Sequence, residues 1–232
     1  MSAGVYRRLG ASIRSRVGRI LCLTCPQGFE TRYPGLRAEF ARYGLADMLV
    51  PCLNVHSVIE HAELDRRVFA NDGARAVNVK NCAMGHYHMV RFALDAGYPG
   101  AMFVEDDCRF GDPGAVLAYL AELPSGANAV LSHCGLRGAN AARVFPRRGW
   151  GRWGVVPSGV TFDLATCYVL DASGMRAFVR HFETAGLDGS SAPFDAADRV
   201  WPYLATEVPL YIPRMSLFVQ SGEPSVIHGP EV

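Results

Sequence analysis

The chain has 232 residues, a formal net charge of +1, and half of its residues are hydrophobic. A near-neutral balance offers no broad basic surface to nucleic acid, and no segment approaches the ~18 consecutive apolar residues of a membrane-spanning helix. Length and apolar content suffice for one sizeable core, while seven scattered cysteines fit a reducing, cytoplasmic setting better than a disulfide framework.

The first predicted element is a basic amphipathic helix within residues 1–18. Val5, Leu9, Ile13 and Val17 recur every four residues among Arg7, Arg8, Arg14, Arg16 and Arg19. Such a leader can lie on an anionic membrane surface; packing on the domain, or no fixed structure, is the competing reading. The N-terminus lacks the apolar core and small-residue cleavage site of a secretory signal. Ile20–Thr24 reads as a first strand, Pro26–Gly28 as a turn, and Tyr33–Tyr43 as a helix stopped by Gly44. Cys22 and Cys25 form a C-x-x-C, but no second pair at zinc-ribbon spacing follows, so packed thiols are expected.

Asp47–Pro51 reads as a second strand, Glu60–Ala70 as a helix, and Cys82–Ala96 as another helix ended by Gly97. Ala101–Val104 is a buried strand. Asp112-Pro-Gly114 opens a helix over Ala115–Glu122, with proline in its first turn. Ala129–His133 is a further strand, and Gly135–Gly159, rich in glycine and arginine, a loop carrying Trp150 and Trp153. Those two rings, with Arg147, Arg148 and Arg152, either meet a ligand or simply pack and solvate the loop. Thr166–Leu170 is a strand, Ser173–Phe182 a helix and Pro193–Leu204 a short helix before a tail of short strands. Strands separated by helices predict one α/β domain with an open, mostly parallel sheet flanked by helices.

The chemistry concentrates where the Ala101–Val104 strand runs into Glu105, Asp106 and Asp107. Ligands of open α/β sheets bind beyond the carboxyl ends of strands. Hard divalent cations, Mg²⁺ or Mn²⁺, prefer carboxylate oxygens and often share them with substrate phosphates. Positions two apart on a strand face one side, so Glu105 and Asp107 are the expected metal clamp. Asp106 is then expected to point elsewhere, toward a ribose or donor sugar.

A resemblance makes this specific. Asn81-Cys-Ala-Met-Gly-His-Tyr-His88, a helix, Gly97-Tyr98 and Phe103-Val-Glu-Asp-Asp107 resemble glycosyltransferase family 25. Thr166-Cys-Tyr-Val-Leu170 with Gly174, Pro193-Phe-Asp195, Tyr211–Gln220 and Ser225-Val-Ile227 are similar to that family's later elements, in the same order. The chain departs from it at Asn81, where the family has Gly, at Gly85, where it has Ser, and in the opening strand Leu21-Cys-Leu-Thr24.

The resemblance implies a GT-A-like (Rossmann-like) fold for residues 19–232. It also implies metal-assisted transfer from a nucleotide-sugar donor, a UDP-hexose above all, to a glycan or glycolipid acceptor such as lipopolysaccharide. Mn²⁺ or Mg²⁺ would be held by Glu105 and Asp107, with His228 a candidate to complete the shell, a surface tail histidine being the alternative account of it. Asp106, His86 and Thr24 would serve the donor side, with His86 also a candidate for setting its helix against the acidic strand. Inverting transfer needs a base for the acceptor hydroxyl. Asp195 is the first candidate and Asp198 the second, a first-turn helix acid being the alternative account of Asp195.

Two other classes compete. Receiver domains of response regulators also place acids after an apolar strand, but near the domain start and with a downstream lysine. Here the single lysine, Lys80, lies upstream, which excludes that class. A non-catalytic binding module on the same fold is the second alternative, which the changes at Asn81 and Gly85 would suit and retention of all three acids and Asp195 argues against.

Overall fold

The computed structural model describes residues 3–54, 77–133, 136, 138–145, 151–162, 166–184 and 200–221, with backbone alone for 77–81. The expected helix over residues 60–70 lies outside the described residues. Seven strands form one sheet in the order β2-β1-β3-β7-β5-β8-β6. They are β1 (Arg19–Thr24), β2 (Leu49–Leu53), β3 (Gly100–Glu105), β5 (Asn128–Val130), β6 (Trp153–Val155), β7 (Cys167–Asp171) and β8 (Leu210–Pro213). β4 (Cys108–Phe110) pairs separately with β9 (Phe218–Gln220). In the large sheet β2, β1, β3, β5 and β8 share one direction, and β7 and β6 run against it. The sheet is therefore open and mostly parallel, as the alternation of strands and helices predicts.

Both faces of the sheet are covered, which is why β1 and β3 read as continuous apolar runs rather than alternating ones. Successive side chains still go to opposite faces. Leu21, Leu23, Ala101 and Phe103 pack in one core with α4 (Val77–Asp95), α7 (Ala172–Thr184) and α8 (Trp201–Glu207). Ile20, Cys22, Met102 and Val104 pack in the other with α1 (Ala3–Arg14), α3 (Tyr33–Arg42) and α5 (Pro113–Glu122). Asp112 caps α5 by accepting from the Ala115 amide at 2.7 Å. Gly44 and Gly97, each with φ near 70°, end α3 and α4 in the left-handed conformation that glycine adopts without strain.

Several expectations change in detail. The turn at Pro26–Gly28 is the start of a helix, α2 (Pro26–Thr31), whose N-cap is the Cys25 thiol, accepting from the Gly28 amide. Cys22 is fully buried in the sheet, so the C-x-x-C is a core thiol followed by a cap. The stretch expected to be a loop holds α6 (Gly138–Val144) and edge strand β6. Trp153 packs: its indole N–H donates to the Tyr119 carbonyl at 2.8 Å. Arg152 pairs with Glu122. Trp150, Arg147 and Arg148 lie outside the described residues.

The N-terminal stripe is used internally. Leu9, Ile13 and Val17 are buried against α5 and the sheet. A Cβ at Gly10 would overlap the Tyr43 carbonyl, so only glycine lets α1 approach α3 so closely. Arg14 pairs with Asp47 and bonds the Gly44 carbonyl, while Arg16 bonds the carbonyls of Leu120 and Pro124. The apolar face expected to meet a membrane is thus covered by the protein itself. Among the described residues no helix is long and apolar enough to cross a membrane. Leu9→Ala is expected to cost about 2–5 kcal/mol of unfolding free energy, and deletion of residues 1–17 more than that, in urea titrations. Unchanged stability on deletion would show that α1 does not belong to the folded core.

Candidate active site

Strand β1 has β2 on one side and β3 on the other, so the chain reverses its direction of travel across the sheet between them. The crevice at such a reversal, beyond the carboxyl ends, is where open α/β sheets hold ligands. Here those ends are Thr24 and Glu105. The chain stays pinned just past them: the Glu105 amide donates to the Thr166 carbonyl at 2.9 Å and the Asp106 amide to the Leu23 carbonyl at 3.1 Å.

Three consecutive carboxylates leave this point, and each meets a different environment. Glu105, at 19% exposure, accepts from His86 Nε2 at 3.1 Å. Asp106 is buried. Its Oδ2 accepts from the Thr24 hydroxyl at 2.6 Å, and Arg32 lies 2.9 Å from Oδ1. A side chain at Gly28 would overlap Asp106 Oδ2, so the first turn of α2 must present bare backbone here. Burial pushes the Asp106 carboxyl up, against the pull of Thr24 and Arg32.

Asp107 is also buried, but its Oδ1 has no hydrogen-bond partner among the described residues. Desolvation first, then the charges of Glu105 and Asp106, push its carboxyl up to about 7, with Arg32 and Arg109 opposing. A buried carboxylate oxygen without a partner costs free energy. It is the group in this cluster whose chemistry calls for a cation.

His86 links two elements. Its Nδ1 lies 2.9 Å from the hydroxyl of Tyr168, which is fully buried in β7. Burial pushes the Tyr168 phenol well above its ordinary range, so it keeps its proton. Tyr168 then donates to Nδ1 and Nε2–H donates to Glu105, an assignment drawn from the partners. Cys82, one helical turn before His86 on α4, brings its thiol to the same place: Cys82, His86 and Glu105 offer ligand atoms all within 4.8 Å of one another.

The structure therefore gathers Thr24, His86, Glu105, Asp106 and Asp107 at one strand end. Asp195, Asp198 and His228 lie outside the described residues. Asp106 points to Thr24 and Arg32. Arg32 carries no sequence signal of its own, because it falls between the expected turn at Pro26–Gly28 and the helix from Tyr33, while Tyr168 stands in the element Thr166-Cys-Tyr-Val-Leu170 without a role read for its hydroxyl. A Cβ at Gly85 would meet Leu23 Cδ1 at 2.7 Å and the Asn54 amide nitrogen at 2.9 Å, so a side chain there would require both of those side chains to shift.

No family model and no curated protein sequence matches the chain. Among solved structures it is similar to a mannose-1-phosphate geranyltransferase from Thermus thermophilus. The identity is 14%, with 87% of this chain and 74% of that chain covered and a TM-score of 0.46. A likeness at that level carries no weight on activity. An apolar crevice between α1, α5 and the opposite, amino end of β3, lined by Ile13, Val17, Met102 and Leu120, is remote from the carboxylates.

The Asp107 environment has a measurable consequence. Its folded pKa lies above the ~3.9 of an unfolded Asp, so between about pH 4 and 7 the native state holds more protons and stability falls as pH rises. In cation-free buffer, Asp107→Asn is expected to gain on wild type across that window, by on the order of a few kcal/mol at pH 8. Urea unfolding of both proteins at several pH values measures the gap. A gap independent of pH would refute the buried-carboxyl origin.

Proposed function

We propose that this protein is a metal-assisted glycosyltransferase with a GT-A-like fold, of the family 25 type. The reaction moves a hexose, with inversion, from a nucleotide sugar such as a UDP-hexose to a hydroxyl of a glycan or glycolipid acceptor. A cell-surface glycan such as lipopolysaccharide, built at the cytoplasmic face of the membrane, suits that chemistry. The observation that carries the reading is the partnerless, buried Asp107 oxygen in a three-acid cluster at the reversal point of the sheet.

The donor set fits a hard cation, since Glu105 and Asp107 offer carboxylate oxygens. When bound, Mn²⁺ or Mg²⁺ supplies Lewis-acid neutralisation of the departing diphosphate. The chain's own residues do the rest. Thr24 and Arg32 fix Asp106, and with it the loop that aims Asp107. His86, braced by Tyr168, orients Glu105. The Ser221 amide donates to the Asp107 carbonyl at 2.8 Å, so the segment bearing His228 starts beside the clamp, which favours His228 as a further ligand. Asp195 would take the acceptor proton, with Asp198 as its neighbour. Val200 and Trp201, next in sequence, are both buried, with the Trp201 ring 4.9 Å from that of Tyr168.

A panel of nucleotide sugars tests the reading by thermal unfolding. One donor should stabilise the protein with Mn²⁺ and not without it, by ~2.7 kcal/mol at a hundredfold excess over its Kd. Asp107→Asn should lose that stabilisation. If no nucleotide sugar binds with any divalent cation, the transferase reading is wrong.

The base is separable from the clamp. Asp195→Asn is expected to lower turnover by ~10²–10⁴-fold while donor and Mn²⁺ affinity stay near wild type. Loss of donor binding equal to that of Asp107→Asn would make the residue structural or metal-linked. A large loss in Asp198→Asn with a mild one in Asp195→Asn would transfer the role.

A further inference from the structure

We propose that Cys82, His86 and Glu105 form a second cation site, distinct in chemistry from the carboxylate clamp and suited to Zn²⁺. Their ligand atoms lie within 4.8 Å of one another, and His86 Nε2 and Glu105 Oε1 are already 3.1 Å apart. Zinc bonds of about 2.0–2.3 Å to N, O and S put ligand atoms roughly 3.3–3.8 Å apart, so small side-chain movements close the set. Cys82 and His86 are four residues apart on α4, hence on one face one turn apart. Glu105 faces them from the end of β3.

The donor set decides the class of metal. A thiolate and an imidazole beside one carboxylate favour zinc over the hard cations that all-oxygen sites hold. Three protein ligands leave a fourth position, and Glu105 is partly open to solvent, so water can complete the shell. The imidazole is braced from behind as zinc-ligating histidines usually are. Its Nδ1 is 2.9 Å from the Tyr168 hydroxyl.

Binding rearranges two hydrogens and releases one proton. Zinc takes the Nε2 lone pair, so the imidazole hydrogen moves to Nδ1 and is donated to the Tyr168 oxygen, which changes from donor to acceptor. The Cys82 thiol loses its proton to solvent and binds as thiolate. Nothing is oxidised or reduced. Arg32 and Asp106 take no part, because they are paired with each other on the α2 side of the strand end.

The test uses the full chain, stripped of metal, and zinc alone in competition with a chromogenic chelator. One zinc per chain is expected. Cys82→Ser, a near-isosteric change at a half-buried position, should weaken it at least tenfold. Tyr168→Phe should weaken it ~10–100-fold, as loss of a bracing partner does, and Asp107→Asn should leave it unchanged. Cobalt in place of zinc should give a thiolate charge-transfer band that Cys82→Ser lacks. Absence of stoichiometric zinc, binding that survives Cys82→Ser, or cobalt without the thiolate band would overturn the site. Loss of zinc in Asp107→Asn would place the metal in the acidic cluster instead, and would also overturn it. None of these readouts involves a nucleotide sugar, so the site and the transferase reading can fail separately.

Discussion

Three adjacent carboxylates at the end of a buried strand are an electrostatic problem, and the architecture around β3 is arranged about it. Burial penalises the charged forms of Asp106 and Asp107, and the neighbouring carboxylates add to it. The chain meets it by giving each acid a different neighbour. Glu105 turns to His86 on α4, Asp106 to Thr24 on β1 and Arg32 beyond α2, and Asp107 is left with an unpaired oxygen. The first two contacts tie three separate elements to one strand end. The third leaves unspent attraction for a positive charge.

That division explains why Asp106, in the middle of the acidic run, is the least available of the three. An almost fully buried ion pair contributes little net stability because both partners are desolvated, but removing one partner strands the other at a cost of several kcal/mol. Arg32 and Asp106 are such a pair, at 12% and 4% side-chain exposure. Their value lies in position: with the Thr24 hydroxyl and the bare backbone at Gly28, they hold the chain at the point where it leaves the sheet. Glu105 sits at a boundary. Its oxygens lie near the sulfur and nitrogen of Cys82 and His86, and the proposed clamp would draw on it from the Asp107 side.

The sheet and its acids were legible in the sequence because they rest on local signals. Apolar runs that stop at charge mark covered parallel strands, and Asp112-Pro113 and Gly97 mark helix ends. What escaped depends on distance along the chain. Arg32 reaches Asp106 across 74 positions and His86 reaches Tyr168 across 82, and no pattern in either segment announces the partner. Edge strand β6 is three residues long, too short for a periodicity. The amphipathic stripe of α1 was visible, but whether such a stripe meets lipid or protein is decided by what lies opposite, here α5 and the sheet.

The antiparallel strand β7 has a role beyond filling the sheet. It places Tyr168 beside Phe103 of β3, with ring centroids 5.0 Å apart, and the Trp201 ring packs edge-on to Tyr168 at 4.9 Å. Each ring is fully buried, so the phenol has little freedom and its hydroxyl is delivered to one place, His86 Nδ1. Close-packed interiors transmit displacement rather than absorbing it. A change at Trp201 would therefore reach Glu105 through Tyr168 and His86, without touching a ligand.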